Sequence, residues 1–464
     1  MTEHETNHPD SEGFLAESPE LDDTILEVIG KPRTYASEER TEERAILVAL
    51  NRESGAIAQD IAERSLDELE ELVETCGATV ILQVLQNKAK PDPALYLGSG
   101  KIDEITELAK LHDANLLVFD EELSGSQMRN IENKTGLKVL DRTLVILDIF
   151  ARRAKTKEGK LQVELAQYEY RSTRLVGLGK ALSRLGGGIG TRGPGESKLE
   201  SDRRHIRERI TQLKRELAEV GERRQRARQS RQADGITVAA VVGYTNAGKS
   251  TLINKLTNSD LFTMDQVFAT LDPSARRLEL EDGSSLVLVD TVGFIRKLPH
   301  HLVEAFQSTL EEARDADIII QVTDVSDPEA DDQIDVVEEQ LLRLKAIDQP
   351  RIHVLNKADR LEGGVPERLL NSRHDPETYS VMSISARTGM GLDKLEQKLS
   401  ELIARGQAKY DISLPYSESN LLAYIKQHAR ALEESYDDEM HLKFGIEKHL
   451  SGPIERYLNE RKPK

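Results

Sequence analysis

Cysteine and aromatic residues are scarce in this 464-residue chain: one cysteine, Cys76, no tryptophan, and an aromatic fraction of 4%. A lone cysteine excludes an internal disulfide framework and a cysteine zinc cluster, and it suits a reducing compartment. No apolar run reaches the roughly 18 residues that a spanning helix needs. The polar, acidic start Met1–Asp10 argues against a signal peptide. A cytoplasmic protein without stable membrane association is therefore expected, and nothing in the sequence calls for DNA.

The length exceeds one ordinary core, so about two to four domains are expected. A hydrophobic fraction of 38% and a charged fraction of 31% suit a globular protein with long charged helices. The net charge of -19 hides an asymmetry. Ala151–Ala233 holds 22 Lys and Arg against 10 Asp and Glu, a local net of +12, whereas Met1–Arg44 holds 4 against 13. A basic module inside an acidic protein implies a polyanionic partner for that module, the alternative being a solvated salt-bridged coil.

Residues 1–43 lack periodicity and read as an acidic disordered tail. Over 44–154 short apolar runs (Ala45–Leu50, Thr79–Gln83, Asn115–Phe119, Lys138–Leu140) alternate with amphipathic helices (Ser65–Cys76, Lys101–His112, Gly125–Thr135), the pattern of a parallel α/β sheet. Gly98-Ser99-Gly100-Lys101 reads as a helix entry turn rather than a phosphate cradle, since it lacks the preceding glycine of a P-loop.

From 155 to 233 the period changes. Leu161, Leu165, Tyr168, Leu175, Leu178 and Leu182 form one stripe; Leu199, Ile206, Ile210, Leu213, Leu217 and Val220 form a second. The glycine-rich stretch Leu185–Glu196 between them cannot be helical. Two antiparallel helices joined by a glycine-rich tip follow, each arm on the order of 35 to 50 Å long. Residues 235–405 form a second α/β unit, and 406–464 a small α+β region with strands at Leu414–Tyr416 and Met440–Ile446 around a helix Ser419–Glu434.

The chemistry lies in the second α/β unit. The apolar strand Thr237–Val242 runs into Gly243-Tyr244-Thr245-Asn246-Ala247-Gly248-Lys249-Ser250 and then a helix, the P-loop pattern in its strand–loop–helix context. Its backbone N–H groups and the helix N-terminus suit phosphate oxygens, Lys249 carries positive charge to the β- and γ-phosphates, and Ser250 offers a hydroxyl to Mg²⁺. Ser285–Val289 leads to Asp290-Thr291-Val292-Gly293, where Asp290 can hold Mg²⁺ through water and the Gly293 N–H can contact the γ-phosphate. Phe268-Ala269-Thr270-Leu271-Asp272 is the candidate first switch, with Thr270 as a second Mg²⁺ ligand beside Ser250 and a structural threonine as the alternative. Lys249, Thr270 and Gly293 are thus the residues expected to bear on the reacting phosphate.

Ile352–Leu355 ends in Asn356-Lys357-Ala358-Asp359, and Tyr379–Ile384 in Ser385-Ala386-Arg387. A carboxylate at Asp359 can accept from guanine N1–H and the 2-amino group together, donors that adenine lacks there. Asn356 can brace the loop, Lys357 can lie along the ring, and a backbone N–H of 385–387 can reach O6. The ordered set predicts GTP and GDP as ligands. Phe294 stands where many GTPases place a water-orienting glutamine, so intrinsic hydrolysis is expected to be slow.

These motifs resemble the HflX family of ribosome-associated GTPases over nearly the whole chain after the tail. The specific residues are Thr191–Glu200 with Asp202-Arg203-Arg204, followed by Gly243–Ser250 and Phe268–Asp272. The resemblance implies an α/β protein in four parts: a parallel N-terminal domain, a helical hairpin, a Ras-like doubly wound P-loop GTPase domain and a small C-terminal domain. It also implies binding to the large ribosomal subunit and its rRNA, and dissociation of stalled or idle ribosomes under stress. Asn246 matches the P-loop asparagine of similar GTPases that use K⁺, with a loop brace as the alternative. A monomer is expected. Two rivals stay open: a ribosome-assembly or tRNA-modification GTPase, and an RNA-remodelling ATPase regulated by GTP.

Overall fold

In the first sheet β1 (Arg44–Asn51), β2 (Thr79–Asn87), β3 (Leu116–Phe119) and β4 (Lys138–Asp141) run parallel in the order β2-β1-β3-β4. Helices α1 (Ala56–Thr75), α2 (Ser99–Leu111) and α3 (Gly125–Thr135) make the crossovers. β1 reads as an unbroken apolar run because both of its faces are covered. Ala45, Leu47 and Ala49 share a core with Leu66, Leu69 and Leu72 of α1, while Ile46, Val48 and Leu50 share another with Ile102 and Ile105 of α2. A capping box between Ser124 and Gln127 starts α3, and left-handed Gly136 ends it. Gly98 is the N-cap of α2: its carbonyl accepts the N–H groups of Lys101 (3.0 Å) and Ile102 (3.1 Å), the geometry of a helix entry turn, and its own N–H donates to Gln86 Oε1 at 3.0 Å.

This computed structural model describes residues 42–185, 194–233, 236–258, 267–268, 270–272, 274–298, 302, 307–370, 378–437, 439–447 and 450–460. Residues 1–41 of the expected acidic tail, the tip 186–193 with Arg192, and Ala269 lie outside the described residues.

A fourth helix, α4 (Arg142–Arg153), follows β4 directly and has no counterpart among the helices expected from sequence. Val145, Ile146, Leu147, Ile149 and Phe150 are all buried, while Asp148, Ala151 and Arg152 form a narrow exposed face. Its start is explicit in the structure, where Asp141 caps it by accepting the Leu144 N–H at 3.0 Å.

The hairpin consists of α5 (Lys157–Leu185) and α6 (Pro194–Ala233), so Leu185 and Pro194–Glu196, expected to be non-helical, belong to the helices. Leu161, Leu165 and Leu213 form its buried seam, flanked by Tyr168, Ile210, Leu217 and Val220 of the two stripes; the side chains of Leu175, Leu178, Leu182 and Leu199 lie outside the described residues. At ~1.5 Å per residue the second arm is about 60 Å long, beyond the expected length, because α6 continues well past its last apolar position.

The second sheet has the order β10-β9-β8-β5-β7-β6, built from β5 (Thr237–Gly243), β6 (Ser274–Glu279), β7 (Ser285–Asp290), β8 (Ile318–Asp324), β9 (Arg351–Asn356) and β10 (Tyr379–Ser383). Only β6 is antiparallel to its neighbour. Helices α7 (Lys249–Thr257), α8 (Gln307–Arg314), α9 (Ala330–Arg343), α10 (Glu367–Leu370) and α11 (Leu392–Gly406) accompany it. The C-terminal sheet is antiparallel, β11 (Gln407–Leu414), β13 (Met440–Glu447) and β12 (Arg430–Tyr436), with α12 (Ser419–His428) and α13 (Gly452–Glu460). Here the expected helix to Glu434 is corrected: it stops at His428 and β12 follows. β12 is an edge strand rich in charge, so it lacks the alternation that marks β13, where Met440, Leu442, Phe444 and Ile446 all face the core.

No helix among the described residues is long and apolar enough to cross a membrane.

Candidate nucleotide site

The phosphate loop leaves the carboxyl end of β5, between β7 and β8, and feeds α7. Gly248, at φ 92°, turns the chain into the helix, and a Cβ there would collide with the Asn356 amide. The loop is held from the opposite side by Phe294, whose N–H donates to the Gly243 carbonyl at 3.1 Å and whose carbonyl accepts the Thr245 N–H at 2.8 Å. The Phe294 ring itself is buried in the core. It therefore serves as a packing residue, not as a side chain facing the phosphates.

Lys249 is buried and donates to the carbonyls of Gly243 (3.2 Å) and Tyr244 (2.8 Å). Burial pushes its ammonium down to about 8, opposed by the nearby Asp290 carboxylate. Gly293 lies against this lysine: a Cβ there would stand 3.0 Å from Nζ and 2.9 Å from a Thr245 methyl.

Three oxygens meet beside the lysine. Ser250 Oγ and Thr270 Oγ1 lie 2.9 Å apart, and each donates to Asp290 Oδ2 at 2.8 Å. Asp290 is fully buried, its second oxygen has no partner among the described residues, and burial raises its pKa. A buried carboxylate with an unsatisfied oxygen, flanked by two hydroxyls, is a hard-oxygen donor set that fits Mg²⁺. Thr291, next in the chain, instead donates its hydroxyl to the Val241 carbonyl at 2.8 Å.

The loops expected to read the base are joined to the phosphate loop. Asn356 is buried at the end of β9, with Nδ2 donating to the Ala247 carbonyl and Oδ1 accepting the Ala386 N–H, both at 2.9 Å. The Ala386 N–H is thereby engaged, leaving Arg387 as the residue of 385–387 whose N–H has no partner among the described residues. Lys357, in the left-handed region at φ 59°, pairs with Asp324 at 2.6 Å. Asp359 is exposed after Ala358, and a hydrogen bond with the Ser385 hydroxyl holds its carboxyl below the usual range. Asn246 is exposed at the loop's outer edge with φ 59°.

Several expected site residues turn their side chains elsewhere. Phe268, Leu271 and Val292 are buried in the core, so only their backbones could meet a nucleotide. Asp272 faces the start of the hairpin. The Tyr244 hydroxyl bonds to Glu68 of α1 and accepts the Arg296 N–H at 2.9 Å. Around it lies a polar network that no sequence motif announces. Arg142, 2% exposed, pairs with Glu68 and with Asp120 (2.6 Å), Lys297 pairs with Asp120, and Arg296 pairs with Glu329 (2.9 Å). These charges come from separate segments of the chain and share no spacing, so only their burial after folding brings them to notice.

The chain is similar to known proteins over most of its length. Residues 63–151 match a family described as GTP-binding GTPase N-terminal, 153–231 the GTP-binding GTPase Middle Region, and 238–357 a 50S ribosome-binding GTPase family. The GTPase HflX of Lacrimispora saccharolytica is 50% identical over 398 residues, 86% of this chain and 92% of that protein. The GTPase HflX of Escherichia coli is 41% identical over 397 residues, 86% of this chain and 91% of its own. A GTP-binding protein of Sulfolobus solfataricus, solved in complex with GDP, is 26% identical and covers 78% of this chain and 99% of that one, with a TM-score of 0.43. With 50% identity to a relative over 398 aligned residues, 86% of this chain and 92% of that protein, the chain belongs to the HflX family of GTPases.

Proposed function

We propose that this GTPase binds GTP with Mg²⁺ at Ser250 and Thr270, docks its hairpin on the large ribosomal subunit, and dissociates stalled or idle ribosomes under stress. The observation that carries the nucleotide half is the meeting of Ser250, Thr270 and Asp290 beside buried Lys249. Lys249 and the loop N–H groups hold the β- and γ-phosphates, the Gly293 N–H meets the γ-phosphate, and Asp290 accepts from the ligands around it. Mg²⁺, when bound, neutralises charge on the phosphate oxygens. Asn356 braces the base loop, exposed Asp359 reads guanine, and the Arg387 N–H is placed to serve O6. With the Phe294 ring buried, no side chain at that position orients the attacking water, and hydrolysis by the isolated chain is slow.

The ribosomal half is supported by the 50S ribosome-binding description of the family matched by 238–357 and by exposed Arg204, Arg207 and Arg223 on α6. Turnover of GTP should rise on addition of purified large ribosomal subunits, and intact ribosomes should separate in sedimentation. Unchanged turnover together with unseparated ribosomes would sink the ribosomal reading. Exchange of K⁺ for Na⁺ in the same assay tests whether Asn246 serves a monovalent cation; equal rates would remove that role.

A further inference from the structure

Asp272 sits two residues beyond Thr270, yet its carboxylate is bound to the root of the hairpin. Oδ2 accepts the N–H groups of Lys155 (2.8 Å) and Thr156 (2.9 Å), and the Thr156 hydroxyl is hydrogen-bonded to Oδ1. The same threonine oxygen accepts the Gly159 N–H at 3.0 Å, capping the first turn of α5. The carboxylate lies so close to that turn that a Cβ on Gly159 would collide with Oδ1. Upstream, Phe268 packs edge-on against Phe150 of α4 with centroids 4.7 Å apart, and Leu271 is buried in the same core. Thr270 is therefore fastened on both sides to elements outside the nucleotide sheet.

The other arm joins the same root. Arg224 of α6 pairs with Glu158 in the first turn of α5 at 3.0 Å and with Glu311 of α8 at 3.1 Å, and Arg228 pairs with Asp315 at the end of α8. Displacement of either arm thus bears on the turn that Asp272 grips.

We propose that Asp272 is a positioning residue that fixes Thr270 to the root of the hairpin, so that load on the hairpin moves Thr270 relative to Ser250 and Asp290 and sets the hydrolysis rate. The proposal rests on the reading of Thr270 as a Mg²⁺ ligand.

Gly159→Ala in the full-length chain tests it without touching the nucleotide site. Alanine favours a helix more than glycine does, so the helix is not weakened for lack of propensity, but the methyl group displaces Asp272. Two quantities are measured. The Mg²⁺ concentration for half-maximal hydrolysis should rise about fivefold or more, a coupling of ordinary size. The maximal rate with large ribosomal subunits should fall by a similar factor, while the subunit concentration giving half-stimulation stays unchanged. Thr156→Val should repeat both effects should the alanine variant fold poorly, and Thr156→Ser, which keeps the hydroxyl, should restore them. A wild-type Mg²⁺ requirement in both damaging variants overturns the proposal, as does undiminished stimulation or a loss of stimulation explained by lost subunit binding. Thr270→Ala that leaves Mg²⁺ dependence unchanged overturns it through its premise. A wild-type chain that ribosomes do not stimulate fails the ribosomal reading alone, because the Mg²⁺ measurement still decides this one.

Discussion

The side-chain nitrogen of Asn356 lies 2.9 Å from the carbonyl oxygen of Ala247, joining the end of β9 to the phosphate loop across 109 residues. The same side chain accepts the Ala386 N–H, so one buried amide aligns three loops. Asn356→Ala leaves a buried carbonyl and a buried N–H unpaired, each costing about 1–3 kcal/mol. GDP affinity should fall by at least about tenfold, since ~1.4 kcal/mol is one decade. Calorimetric titration giving wild-type affinity would show that the loops align without it.

Exposed Asp359 is expected to select guanine through two donors on the base. Asp359→Asn should weaken GTP and GDP and favour xanthine nucleotides, whose base carbonyl can accept from the amide. Competition between GTP and XTP for the variant measures this, and retained GTP preference would assign base selection to another residue.

Phe294 separates two meanings of a missing glutamine. Its ring is 2% exposed in the core, so Phe294→Ala should destabilise the fold by about 3–5 kcal/mol. Phe294→Leu keeps most of the volume and should leave basal turnover within about twofold, as small volume changes are tolerated. A melting curve and a turnover assay on both variants suffice. Collapse of turnover in a stable leucine variant would give the ring a direct part in hydrolysis.

The nucleotide motifs were legible because each is a contiguous run at a strand end: the phosphate loop after β5, Asp290–Gly293 after β7, Asn356–Asp359 after β9 and Ser385–Arg387 after β10. The sheet places those ends together, so order in sequence became adjacency in space. The side-chain partners of Asp272 and Tyr244 were not legible, for the converse reason. Both belong to such runs, yet their side chains bond to Thr156 and Glu68, and no local pattern announces a partner more than 100 residues away. β12 was illegible for another reason: an edge strand with the sequence Arg430-Ala431-Leu432-Glu433-Glu434-Ser435-Tyr436 is too charged to alternate.

Burial of Lys249 gives nucleotide binding a pH dependence. Its ammonium is depressed from 10.5 to about 8 in the free protein, and phosphate oxygens favour the charged form. Affinity for GDP should be flat below pH 8 and weaken above it, approaching tenfold per pH unit at most. Between about 8 and 10.5 the unfolded chain keeps a proton that the folded one has lost, so stability of the nucleotide-free protein should rise with pH across that window. Lys249→Arg stays charged throughout and should flatten the binding profile between pH 7 and 9. An identical profile in that variant would place the titration on another group.

The hairpin's cations divide into two sets, and the division changes which of them should meet RNA. Arg224 and Arg228 are half-buried and paired with acids of α5 and of the α8 region. Arg204, Arg207 and Arg223 are exposed, although Arg204 stands 3.9 Å from Glu208. An arginine already neutralised by carboxylates releases few counterions on meeting phosphate, whereas an exposed one releases its full share. Alanine at 204, 207 or 223 should therefore reduce the salt dependence of binding to large ribosomal subunits by roughly 0.7 to 0.9 for each phosphate no longer neutralised, by analogy with nucleic-acid values. Arg224→Ala should leave that slope unchanged and instead loosen the hairpin from α8, seen as a lower melting temperature. Binding measured across a salt series separates the sets, and a slope that falls with Arg224→Ala but not with the exposed arginines would reverse the assignment.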